Sequence, residues 1–148
     1  MSESNIRHAG LIALRHAGVW RGVLIEGPSG AGKSDLALRA LDAGFRLVAD
    51  DHTVVFVSGG RLWGKAPEPL AGLIEVRGLG VVAADALPFA EIVMLVRCVE
   101  RPDAVERMPD PRVETIADIS VPVFDLWPRE PAAPAKIRRM MQSLGVAS

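Results

Sequence analysis

Eight consecutive residues constrain this chain more than any other feature: Gly27-Pro28-Ser29-Gly30-Ala31-Gly32-Lys33-Ser34. They match G-x-x-x-x-G-K-[ST] in full, a pattern that works only between a strand leading in and a helix leading out. Both flanks agree. Val19 to Glu26 reads as a short apolar strand, and Lys33 to Ala43 as a helix with Gly44 as its C′ residue. The glycines let the backbone curl so that successive N–H groups face one concavity suited to anions. The first helical turn adds its unpaired N–H groups and the positive end of its dipole. Lys33 has the reach for β and γ phosphate oxygens, and the Ser34 hydroxyl can ligate Mg²⁺. An ordinary Gly-rich turn is the plain alternative. The pattern, with both flanks correct, implies polyphosphate binding.

The rest of the chain decides what surrounds that loop. Arg46 to Ala49 reads as a strand ending in Asp50-Asp51, and Thr53 to Val57 with Arg61 to Trp63 as a hairpin around Ser58-Gly59-Gly60. Leu73 to Val76 and Leu79 to Ala83 are strand-like, and Glu91 to Val99 is the most apolar strand. Glu100 to Arg112, with Pro102, Pro109 and Pro111, reads as a loop. Val121 to Leu126 is a last strand, which Pro122 pushes towards an edge. Ala135 to Leu144 closes the chain as a helix, its Ile137, Met140, Met141 and Leu144 at i, i+3, i+4 and i+7. These elements predict an α/β fold, a mixed sheet with few helices, in one domain over residues 1–148. With 17 Lys+Arg against 18 Asp+Glu, the balanced charge argues against nucleic acid or an acidic membrane as bulk partner. The lone Cys98 excludes an intramolecular disulfide and any Cys-cluster zinc site. No run approaches a membrane span and the polar start lacks a signal-peptide core, so the expectation is a cytoplasmic protein.

Two groups of charged residues accompany the loop. Asp50-Asp51 ends the strand after the loop's helix and should face the same crevice, because ligands in α/β sheets bind beyond the carboxyl ends of strands. Adjacent carboxylates point in different directions, so one can serve a metal or its waters while the other accepts a proton from a hydroxyl. A solvated turn is the alternative. Glu75 and Arg77 share one face of their strand and are read as an inner pair, either a mutual ion pair or a metal or phosphate site. Gly78 and Gly80 would allow a ligand close to the backbone. His8, His16 and His52 show no metal-ligand spacing, and each reads singly as a surface or satisfied core residue.

Taken together, Ile25 to Asp35 (IEGPSGAGKSD), Leu47 to Asp51 (LVADD) and Leu73 to Gly80 (LIEVRGLG) resemble the catalytic domain of HPr kinase/phosphorylase. The likeness is close over about residues 23–82 and weaker outside. It implies an ATP- and Mg²⁺-dependent serine kinase acting on HPr or an HPr-like phosphocarrier of the phosphotransferase system, in the family also a phosphorylase that releases pyrophosphate. The resemblance implies that Asp51 takes the seryl proton, with Asp50 assisting. Lys33 would bind phosphate within the nucleotide loop Gly27, Pro28, Ser29, Gly30, Ala31, Gly32, Lys33, Ser34, and Ser34 with Glu75 would form the Mg²⁺ site. Arg107 matches an essential loop arginine and His8 a histidine near the acid pair, while Glu75, Arg77, Gly78 and Gly80 belong to the signature.

Three departures accompany it. No N-terminal domain fits before His8, which resembles an abbreviated alphaproteobacterial form. Asp35 stands where the family usually has Glu. A Pro-Gly-Arg-Asn type segment is absent, with Pro128-Arg129-Glu130 in that region, so kinase activity carries over better than phosphorylase activity. A homo-oligomer is implied, full-length relatives being hexamers. A small-metabolite kinase and a non-catalytic nucleotide-dependent regulator are the competing readings.

Overall fold

Leu11 to Leu14 is apolar at every position, which suits a strand buried on both faces. In the computed structural model, which describes residues 5–147, it is the centre of β2 (Ala9–His16). Residues 1–4 of the polar start lie outside the described residues. Ala17 and Gly18, both at positive φ, turn the chain straight back into β3 (Val19–Glu26), as a two-residue hairpin turn requires. β2 is not among the strands expected from the sequence, the first of which begins at Val19, because a continuous apolar run carries no period-two alternation.

From β3 the chain passes through α1 (Lys33–Asp42) to β4 (Arg46–Ala49). β4 pairs antiparallel with β2, so it runs parallel to β3 two places away. β5 (Thr53–Ser58) and β6 (Arg61–Lys65) form the hairpin read from Ser58-Gly59-Gly60, and β1 (Asn5–Arg7) pairs with β5. β7 (Leu73–Val76) and β8 (Gly80–Ala83) make a separate two-stranded sheet. β9 (Ala90–Cys98) lies parallel to β3 at the middle of the main sheet, whose order is β1-β5-β6-β9-β3-β2-β4. β10 (Arg112–Ile116) pairs with β11 (Ile119–Leu126), and β11 pairs in parallel with β9. α2 (Ala133–Ser143) closes the chain. The mixed sheet with few helices is the one expected.

One expectation fails. β11 lies between β9 and β10 and is not an edge strand. The ladder to β9 runs over Val123 to Leu126, so Pro122 stands just before it and removes no bond from it.

The sheet separates two apolar layers. On one side Ile12, Val23, Ile25, Met94 and Val96 pack under Leu36 of α1 and Ile137 and Met141 of α2. On the other, Leu11, Leu24, Ile92 and Leu95 pack against Val55 and Leu62 of the β5–β6 hairpin and Val121 of β11. The methionines of α2 are therefore core, with Met141 buried and Met140 packed against the same cluster. Cys98 is buried too, and burial pushes its thiol up to about 12, against a smaller downward pull from Lys33. It therefore stays protonated and unreactive at neutral pH. Iodoacetamide at pH 8 should label it only as the chain unfolds; rapid labelling of the folded protein would contradict this packing.

Candidate active site

The parallel strands β3, β4, β9 and β11 all end at one edge of the sheet, and β2 begins there. This brings residues far apart in sequence to one place. Beyond β3 the loop starts at Gly27, where a side chain has no room: an added Cβ would lie 2.9 Å from Cys98 Cβ and 3.1 Å from its carbonyl oxygen. A tight turn follows, with the Ala31 N–H donating to the Pro28 carbonyl at 3.1 Å, and Gly32 caps α1. Lys33 is buried and curls back over its own loop, its Nζ donating to the Gly27 carbonyl at 2.5 Å.

Beyond β4, the two carboxylates diverge as expected. Asp50 accepts a hydrogen bond from Ser34 Oγ at 3.0 Å and another from the Glu75 backbone N–H at 2.9 Å, tying the loop's serine to β7. Asp51 points the other way. Its φ is +64°, and the His52 N–H donates to the Asp50 carbonyl at 2.7 Å, so Asp51 is the centre of a three-residue turn in the left-handed region. Such a conformation costs on the order of 1–3 kcal/mol and persists where surrounding structure imposes it. The Asp51 carboxylate lies 2.9 Å from His8 Nε2, 3.9 Å from Lys33 Nζ and 3.7 Å from His52 Nδ1. The two imidazoles stack with centroids 5.3 Å apart. His8 arrives because β2 starts opposite the end of β3, with Ala9 paired to Glu26. From the sequence His52 is an ordinary surface or core histidine. Its one signal was adjacency to Asp51, which gains meaning once the turn folds its ring under His8.

β7 corrects a second expectation. Glu75 and Arg77 are not an inner pair. Ile74 is the residue buried in the core, while Glu75 and Arg77 are exposed, and no ion pair joins them among the described residues. The cause is that β7 pairs only with β8, leaving its outer face open towards the loop. Gly78 and Gly80 likewise serve the turn between the strands, at φ +90° and +110°, and nothing lies within 4 Å of where their side chains would be.

Ser29, Gly30, Gly32, Lys33, Ser34, Asp35, Asp50, Asp51, Glu75, Arg77 and Arg129 share a cavity of about 570 Å³ with Leu38 and Val76. Arg107 is exposed in the 99–111 loop and is not among the residues lining it. Arg129, to which no motif in the sequence points, is.

The family model for the HPr Serine kinase C-terminal domain matches residues 1–125. The chain belongs to this family. Two curated relatives give the scale of the likeness. The chain is 43% identical over 86 residues to the HPr kinase/phosphorylase of Streptococcus thermophilus, which covers 53% of this chain and 28% of that protein. It is 46% identical over 66 residues to the HPr kinase/phosphorylase of Clostridium tetani, 45% of this chain and 22% of that protein. The matched stretch thus spans less than a third of the length of these relatives. The solved Hpr(Ser) kinase/phosphatase of Coxiella burnetii superposes with a TM-score of 0.79 at 25% identity, over 96% of this chain and 91% of that one. The α/β architecture with its mixed sheet is therefore the fold of that kinase.

The residues present fit a hard divalent cation. Ser34 Oγ, the Asp50 carboxylate joined to it and the exposed Glu75 carboxylate supply only oxygen donors on the cavity wall. Among the described residues no group of three or more His, Cys, Asp or Glu side chains is placed to hold a metal ion by itself. One or two carboxylates plus substrate phosphates is how Mg²⁺ is ordinarily held.

Proposed function

We propose that this chain transfers the γ-phosphoryl group of ATP to a seryl hydroxyl of HPr or an HPr-like phosphocarrier. The observation that carries the reading is the position of Asp51, a carboxylate 3.9 Å from the phosphate-loop lysine and bonded to His8 at the same cavity. The Gly27–Ser34 backbone and Lys33 hold the phosphate tail. Asp51 accepts the proton as the seryl oxygen bonds to phosphorus, the bond from phosphorus to the β-phosphate oxygen breaks, and ADP leaves. His8 orients the Asp51 carboxylate. Ser34, Glu75 and Asp50 would hold Mg²⁺, which supplies charge neutralisation on the phosphates. Because the reacting groups are only positioned and neutralised, catalysis rests on geometry and electrostatics. In reverse, inorganic phosphate would attack the seryl phosphate, pyrophosphate would form, and Asp51 would return the proton. With ATP and a phosphocarrier as substrates, the proposed place of action is the cytoplasm; a homo-oligomer is the proposed assembly. No described helix is long and apolar enough to cross a membrane.

The test is incubation of the purified chain with Mg-ATP and the HPr-type carrier of the same organism. One phosphoryl group on a carrier serine, found by intact mass and peptide mapping, is the expected result. A stable complex without transfer would replace the kinase by a nucleotide-dependent regulator. Phosphorylation of a small hydroxyl compound but not of the carrier would replace it by a metabolite kinase.

A further inference from the structure

The segment between β11 and α2 crosses the phosphate loop. It lies beyond residue 125, outside the stretch that the family model matches. Arg129 Nη2 donates to the Gly30 carbonyl at 2.6 Å, and its side chain packs over Gly32, where an added Cβ would meet Arg129 Cγ at 3.7 Å. The Gly30–Ala31 peptide is thus held at both ends, its carbonyl by Arg129 and its N–H by the Pro28 carbonyl. Among the described residues no carboxylate pairs with Arg129. A guanidinium has five N–H donors in a planar fork, and one bond to Gly30 leaves the rest free beside a cavity that also contains Lys33 and Ser34.

The backbone around it is already fastened. Arg39 of α1 donates to the Pro128 carbonyl and, at 3.0 Å, to the Glu130 carbonyl, and its own Nε is fixed by Asp35 at 3.0 Å. Glu130 pairs with Lys136 of α2. Asp35 therefore acts, through Arg39, as an anchor for this strap. An arginine held in place before a ligand arrives loses little freedom on binding it.

We propose that Arg129 is a second phosphate-binding cation, a clamp supplied by the C-terminal strap, and that its ligand is the diphosphate portion of a nucleoside polyphosphate or pyrophosphate itself. This rests on the polyphosphate reading of the same cavity. It does not depend on which molecule accepts the phosphoryl group.

The experiment is isothermal calorimetry of the full chain with Mg-ATP and with magnesium pyrophosphate. It compares the unmodified protein with Arg129→Ala, Arg129→Lys, Arg39→Ala and Lys33→Ala, each also melted without ligand. A bidentate charge-assisted contact predicts that Arg129→Ala weakens both ligands about 10–100-fold. Arg129→Lys, keeping the charge but losing the fork, should fall between, and Arg39→Ala should lose several-fold by freeing the strap. Ligand-free melting of Arg129→Ala should be unchanged. Binding by Arg129→Ala within twofold of the unmodified chain, while Lys33→Ala loses it, overturns the clamp and leaves the loop reading intact. A large drop in ligand-free melting for Arg129→Ala also overturns it, in favour of a packing role. No binding by the unmodified chain, or full binding by Lys33→Ala, removes the phosphate site and the clamp together.

Discussion

Replacing Asp51 with Asn should lower phosphoryl transfer to the carrier about 10²–10⁴-fold, the usual worth of a positioned general base. Mg-ATP affinity should stay within a few fold. The split follows from geometry. The amide has the carboxylate's shape and tolerates the left-handed backbone that Asp51 adopts at φ +64°, so the turn after β4 survives. It cannot take up a proton. Nucleotide affinity comes from the Gly27–Ser34 backbone and from Lys33, whose Nζ remains bonded to the Gly27 carbonyl. Single-turnover transfer measured beside calorimetric binding separates the two quantities. Unchanged transfer in Asp51→Asn would remove Asp51 as base. Loss of binding and transfer together would give it a role in holding nucleotide instead.

The second large effect concerns stability. Ile137 is fully buried in the layer that joins α2 to α1 and to the centre of the sheet. Truncating such a side chain to Ala costs about 2–5 kcal/mol, through lost transfer energy and the cavity left behind. At about 2–4 °C per kcal/mol for a domain of this size, the melting midpoint of Ile137→Ala should fall by roughly 4–20 °C. Calorimetry with a single cooperative transition is the check. A fall below about 2 °C would mean that α2 is not part of the cooperative unit. The strap that carries Arg129 would then lack its anchor on one side.

What the residues disclose in advance is governed by how local the signal is. β3, α1 and β4 stand where the sequence places them, because Gly, Lys and Ser punctuate the loop and Gly44 ends the helix. α2 was legible from the 3.6-residue spacing of Ile137, Met141 and their neighbours. β2 was not, since Leu11 to Leu14 are buried on both faces and show no alternation. The same blindness hid part of the site. That Asp50 and Asp51 face the loop follows from their strand end alone, whereas His8 is placed beside them by the family resemblance and not by periodicity, since it reaches Asp51 through the antiparallel strand inserted between β3 and β4. Arg129 lies about a hundred residues from the loop it touches, and only the parallel pairing of β11 with β9 returns the chain there. Arg107, by contrast, rests on a short match in a Pro-bearing loop. Nothing in the pattern of such a loop fixes where its side chains end up.

The proposed kinase needs one crevice that holds both a polyphosphate cradle and the carboxylate that deprotonates the acceptor. A crystal structure of the chain with Mg²⁺ and a non-hydrolysable ATP analogue tests it most directly. The phosphate tail should be wrapped by residues 27–34, with the terminal phosphoryl group facing Asp51 and room between them for one hydroxyl oxygen. A tail bound elsewhere, or one whose terminal phosphate points away from Asp51, would contradict it.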